Sequence, residues 1–233
     1  MNRKLISVLP IALITMFLLT LSSCVDIDRK IKINADGSGS ETQTFNIDRT
    51  FYDLIFSMVN SMDSVKSKGI KDSLYNHEEM LGKIRENLSK QEGIEITELT
   101  GTTNADSSTT YKFNYRFNKI EKIGYATNIS PKELSGEEQN KSEVTWKDNG
   151  DRINFTLLYK PNNEGENSND ENNKAFAFLF ANKNVKFEIE FPYNIESSNG
   201  QSFNGKTGNW TFPLVDLMNN KDKKIFLEVT LTK

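Results

Sequence analysis

From Tyr111 to Phe117 the chain places an aromatic residue at every second position: Tyr111, Phe113, Tyr115 and Phe117, with Lys112, Asn114 and Arg116 between them. An extended strand accommodates that pattern, because successive side chains point to opposite faces, one dry and one wet. The pattern recurs along the chain. Val25, Ile27, Ile31 and Ile33 share one parity, with Arg29 as the exception, and Asp26, Asp28, Lys30, Lys32 and Asn34 share the other. Ile153, Phe155, Leu157 and Tyr159 repeat it, as do Val185, Phe187, Ile189 and Phe191, and Ile225, Leu227, Val229 and Leu231. Residues 40–47, Ile94 to Leu99, Val144 with Trp146, and Trp210 with Phe212 add shorter matches. About nine strands follow from these runs and the turn residues between them. Asp36-Gly37-Ser38-Gly39 separates the first two. Asp148-Asn149-Gly150-Asp151 holds an Asn-Gly pair between two such runs, the strongest short-range hairpin signal.

Two stretches change period. Phe51, Leu54, Ile55, Met58, Met62 and Val65 recur at helical spacing, with Thr50 and Asp53 as a start signal and Lys68-Gly69 as a stop. Leu74, Leu81, Ile84 and Leu88 mark a second helix over about 72–91, ended by Gly93. A short helix is predicted within 118–128, and 175–181 reads equally well as helix or strand. The expected fold is α+β: a largely antiparallel sheet of about nine strands with amphipathic helices packed on one face. No exact internal repeat is visible. Pro161 to Asn173 has no hydrophobic side chain apart from the proline ring and reads as a surface loop.

The N-terminus has a separate logic. Arg3 and Lys4 precede an uncharged, largely apolar run from Leu5 to Leu21, the layout of an export signal. It ends in Leu21-Ser22-Ser23-Cys24, which resembles the bacterial lipobox: a Leu, two small residues that fit a signal peptidase cleft, and a cysteine. That resemblance implies that Cys24 carries diacylglyceryl and palmitate-type chains and becomes the mature N-terminus. Residues 1–23 are then a cleaved signal, and 24–233 form a single envelope-exposed domain on the inner or outer membrane. Cys24 is the only cysteine, so no intramolecular disulfide can form. An uncleaved membrane anchor over Leu5 to Val25 is the competing reading; it too places the domain outside the cytoplasm.

Charge narrows the partners. The whole chain has formal net charge −3, and losing Arg3 and Lys4 with the signal brings it to −5. With no basic stripe, nucleic acid is not an expected partner.

After Cys24 come, in order, a strand, the Asp36-Gly37-Ser38-Gly39 turn, a strand and amphipathic helices, and a second recognisable stretch lies near the C-terminus. There Phe191-Pro192 precedes Asn199-Gly200, Asn204-Gly205 and Asn209-Trp210-Thr211-Phe212-Pro213-Leu214. This ordering resembles the LppM-type lipoprotein domain family. The resemblance implies an α+β envelope domain and carries over no functional residue. The helical stretch at 49–91 and the acidic loop at 161–173 have no match in that pattern.

No catalytic constellation is visible. Gly-x-Ser-x-Gly, His-Glu-x-x-His and P-loop patterns are absent. His77, the sole histidine, falls beside the apolar stripe between Leu74 and Leu81, and reads as a packed residue without metal-ligand company. Asn34 to Gly39 has the oxygen content of a cation loop but lacks the further carboxylates and the bidentate Glu, so it reads as a turn. Glu137-Glu138 and Glu164 with Glu166 read as solvated loop acids. The expectation is a non-catalytic, membrane-tethered binding or scaffold module without cofactor or metal, meeting an envelope protein or a glycan. The alternative, motivated by 15 phenylalanines, is a carrier of a lipid or other apolar ligand between sheet and helices.

Overall fold

The computed structural model describes residues 25–53, 57, 76–123, 142–159, 183–219 and 224–233. Val25–Ile33 forms β1 and Gly39–Ile47 forms β2, paired antiparallel so that Val25 faces Ile47 and Ile33 faces Gly39. Asn34 to Ser38 closes this hairpin. Asn34 N donates to Ser38 O at 2.8 Å, Gly37 N donates to Asn34 O at 3.1 Å, and Gly37 takes a φ of +80°.

The same device recurs in a second hairpin, between β3 (Ile94–Thr103) and β4 (Thr109–Phe117). Asn104 N donates to Ser108 O at 2.8 Å, Ser107 N donates to Asn104 O at 2.9 Å, and Ser107 has a φ of +66°. In both turns the third residue is an Asp whose carboxylate accepts from a serine two places on: Asp36 from Ser38, Asp106 from Ser108, each at 3.0 Å from the amide and 2.6 Å from the hydroxyl. Asn-Ala-Asp-Gly-Ser and Asn-Ala-Asp-Ser-Ser therefore head two copies of one hairpin. Their inner strands pair antiparallel, Gln43 against Phe113 at the centre, Gly39 against Phe117 and Ile47 against Thr109. Gln43 and Phe113 are also equivalent positions of the two copies. The hairpins are thus related by a pseudo-twofold through that pair, with their turns at opposite ends of the sheet. The repeat is inexact: the strand sequences differ, and β3 carries an irregularity between Ile96 and Glu98 that β1 lacks.

Gly37 and Ser107 test this equivalence. A side chain in the left-handed region costs about 1–2 kcal/mol, while glycine gives back about 0.5–1 kcal/mol through the unfolded chain's freedom. Ser107→Gly should raise the unfolding free energy by about 0.5 kcal/mol, and Gly37→Ser should lower it by a similar amount. Urea unfolding of both variants checks the pair; the same sign in both would refute the equivalence.

The two hairpins supply four strands of a seven-stranded sheet of order β3-β4-β2-β1-β7-β10-β9. β7 (Asn184–Glu190) lies parallel to β1, Ile27 beside Val185. β10 (Thr207–Pro213) and the short β9 (Ser202–Asn204) follow antiparallel. A second sheet has order β5-β6-β11-β8 and is wholly antiparallel. It comprises β5 (Glu143–Asp148), β6 (Arg152–Tyr159), β8 (Asn194–Ser198) and β11 (Ile225–Thr232). The β5–β6 hairpin is the Asn-Gly hairpin of the sequence, with Gly150 at φ +92°.

This overturns the expected α+β architecture. The chain is mostly β, with two sheets of seven and four strands in place of one sheet of about nine, and its described helices are short. They are a helical turn at 49–53, α1 (His77–Ser89), a 3-10 turn at Ile120–Lys122 and α2 (Leu214–Asn219). Strand alternation shows that one face is covered and does not say by what. Here the apolar faces of both sheets meet in one core: Ile31, Phe187 and Trp210 from the first, Phe155, Leu157, Leu227 and Leu231 from the second. Each of these seven side chains is at most 2% exposed, which at full burial stabilises by about 1.5–3 kcal/mol apiece. Helical cover is local: α1 lies along β3 and buries Leu81, Ile84 and Leu88. It ends at Ser89, and Gly93, the predicted stop, takes φ +81° four residues on, where the chain turns into β3. The helical turn at 49–53 starts two residues earlier than predicted, because Asp48 rather than Thr50 caps it: Asp48 Oδ1 accepts from Thr50 N at 2.7 Å. The rest of the first helical stripe, 175–181 and the 161–173 loop lie outside the described residues.

One asparagine bonds to both sheets. Asn199 Oδ1 accepts from Trp210 Nε1 of β10 and from Glu228 N of β11, both at 2.9 Å, while its Nδ2 donates to Phe226 O at 3.0 Å. Gly200 follows because a Cβ there would sit 2.7 Å from Asn209 O and 3.0 Å from the Trp210 ring.

Candidate functional site

The inward parity of β1 and β2 contains three residues that do not belong in an apolar face: Arg29, Glu41 and Gln43, exposed 2%, 1% and 0%. Register brings them together, since Ile31 faces Glu41 and Arg29 faces Gln43. Glu41 Oε1 accepts from Arg29 Nε at 2.6 Å and from Gln43 Nε2 at 2.8 Å, and Glu41 Oε2 accepts from the Tyr115 hydroxyl of β4. Arg29 Nη2 lies 2.5 Å from Glu41 Oε1, off the hydrogen-bonding direction, so it adds charge attraction without a second hydrogen bond. The guanidinium carbon stands 4.8 Å over the Phe187 ring of β7. One carboxylate thus ties β1, β2 and β4 together, and the arginine extends the tie to β7.

Both oxygens of Glu41 are engaged by donors from the sheet itself. A carboxylate used in this way braces strands. Sequence reading marks Arg29 as the exception in its run; Glu41 and Gln43 carry the matching signal, two polar residues on the parity of Phe45 and Ile47.

His77 opens α1 with both ring nitrogens in use: Nδ1 is 2.9 Å from the Tyr111 hydroxyl and Nε2 is 2.9 Å from Thr103 Oγ1. Burial, and secondarily the neighbouring Tyr52 hydroxyl, push the Tyr111 phenol well above its ordinary range, so it stays protonated. The histidine pins the start of α1 to the ends of β3 and β4, the packed role expected from its spacing. The Asn34–Gly39 segment is a hairpin turn. The Ser38 hydroxyl and then the Ser38 amide hold the Asp36 carboxyl below its usual range, and the Ser108 hydroxyl and amide do the same for Asp106. Among the described residues no group of three or more His, Cys, Asp or Glu is placed to hold a metal ion.

Leu21, Ser22, Ser23 and Cys24 lie outside the described residues, as do Glu137, Glu138, Glu164 and Glu166. Val25 does not: β1 begins there, the residue after Cys24. Lys183 is 1% exposed, and its Nζ lies 3.3 Å from Asp26 Oδ2, which secures this end of the sheet. No helix among the described residues is long and apolar enough to cross a membrane.

No protein-family model matches the chain, and no curated protein matches it. Among solved structures it is similar to the folded domain of Mycobacterium tuberculosis LppM, determined by NMR. The TM-score is 0.42 and the identity 9%, over 90% of each chain.

Proposed function

We propose that the chain is a lipid-anchored, non-catalytic binding or scaffold module of the bacterial envelope, tethered through Cys24 and meeting a protein or glycan partner outside the cytoplasm. The observation that carries this reading is the start of β1. Its first residue, Val25, directly follows the sole cysteine, so the lipobox-like Leu21-Ser22-Ser23-Cys24 abuts folded structure with no spacer. A thioether-linked diacylglyceryl group and a further acyl chain there exceed the two-signal requirement for stable membrane attachment. The Glu41 carboxylate at the centre of the seven-stranded sheet is taken up by donors of the sheet itself, in keeping with a module whose work is done on its surface.

Cys24→Ser should leave the fold unchanged and abolish lipid attachment. Cells fed labelled palmitate, followed by membrane fractionation, check this. Label on the variant, or an unlabelled wild type, would sink the tether.

The second reading, a carrier of a lipid or other apolar ligand, was motivated by aromatic strand faces. Phe113, Phe117, Phe155, Phe187 and Phe191 are all at most 6% exposed, and Phe155 meets Phe191 edge-on at 5.2 Å. Packing accounts for those rings, so they lend the carrier no separate support. Native mass spectrometry gives it a direct test through copurified lipid.

A further inference from the structure

The outer face of the four-stranded sheet holds a groove of about 700 Å³. Three uncharged polar side chains stand abreast across its floor: Asn154 of β6 faces Thr230 of β11, which faces Ser197 of β8. Neighbouring strands are about 4.8 Å apart, the scale of one sugar ring, so the row offers an amide and two hydroxyls at that repeat. β8 is irregular opposite Thr230 and Leu231, and Glu196 falls at that irregularity. From there it reaches past β11 to Arg152 of β6, whose Nε and Nη2 donate to its two oxygens at 2.7 Å each. This bidentate pair forms one wall, and Asn149, from the β5–β6 turn, lines another part of the groove.

The lining selects a class of ligand. An anion would meet the carboxylates of Glu196 and Asp151, with the one guanidinium already matched to Glu196. An apolar ligand would strip water from a polar row and return no hydrogen bonds. A neutral molecule dense in hydroxyls satisfies donors and acceptors together. Phe226, 42% exposed, shares the outward parity of Thr230 on β11 and offers a ring for the apolar face of a sugar. We infer that this groove binds a neutral oligosaccharide segment, with Asn154, Ser197 and Thr230 contacting its hydroxyls. The inference rests on the envelope-module reading and names the glycan as the partner.

Calorimetric titration of the full-length protein in lauryldimethylamine oxide, a detergent without a sugar headgroup, tests it. Maltotetraose, mannotetraose and chitotetraose are the neutral probes, and sulfated maltotetraose is the charged control. At least one neutral probe should give saturable binding, and the sulfated control none. Asn154→Ala with Ser197→Arg should weaken that binding at least tenfold without moving the melting temperature. Ser197→Arg alone serves if the double variant melts early, since its side chain projects into the groove from an exposed position. Absence of binding by all three neutral probes, unchanged affinity in the variants, or preference for the sulfated probe would overturn the assignment. Palmitate labelling reads the tether independently, so loss of the glycan site and loss of the anchor are distinguishable.

Discussion

Arg29→Met alone should lower the unfolding free energy by about 3–5 kcal/mol, because it leaves the Glu41 carboxylate inside the core without its cation. The paired result is more diagnostic. Replacing Arg29, Glu41 and Gln43 together by Met should restore stability to within about 1–2 kcal/mol of the wild type, or exceed it, since apolar replacements of similar volume remove the desolvation cost of the charges. Urea unfolding of the single and triple variants measures both. A single variant no worse than the triple would mean that water reaches the Glu41 carboxylate once Arg29 is gone, and would refute the buried-charge account.

Gly39→Ala is the second large effect. A Cβ at Gly39 would lie 2.0 Å from Lys32 O and 2.6 Å from the Phe117 ring. The first contact is with backbone in the partner strand, which cannot rotate away, so the hairpin must open or the ring must leave its place. The expected loss is about 3 kcal/mol or more, at the upper end of overpacking costs. The equivalent residue of the other hairpin, Thr109, carries a side chain and is fully buried. The glycine requirement therefore belongs to the close approach of Lys32 O and the Phe117 ring to Gly39 and not to the turn type. Phe117→Leu in the Gly39→Ala background should recover part of the loss in the same unfolding measurement. If it recovers nothing, the backbone contact alone sets the cost.

The strands were legible in the sequence wherever one face stayed dry for several alternations, as in β4, β6, β7 and β11. β8 and β9 were missed because they are short and lie among Asn, Ser and Gly: Ser202–Asn204 is exposed throughout and buries nothing that could leave a pattern. The division into two sheets left no local trace, since an inward-facing Leu227 looks the same whether a helix or a second sheet covers it. Arg29 stood out at once. Glu41 and Gln43 did not, because period two identifies a face and cannot tell whether a polar residue on it is buried. The groove was invisible for another reason. Asn154, Thr230 and Ser197 come from three strands far apart in the chain, and only strand register places them in a row.

The paired hairpins also bear on how the connection between them is free to change. The β2–β4 seam joins two like units, and residues 48–93 act there as a tether that turns an encounter between separate hairpins into an intramolecular one. Such a tether needs only to be long enough to span the seam, and each doubling of a flexible connection costs just about 0.6 kcal/mol. α1 is one use of that length: a helix that docks on β3 and reaches β4 through His77 and Tyr111, while β2 is held against β4 strand to strand. Insertions and deletions should accumulate in this span before they accumulate anywhere else in the sheet, and the register Gln43–Phe113 should survive them.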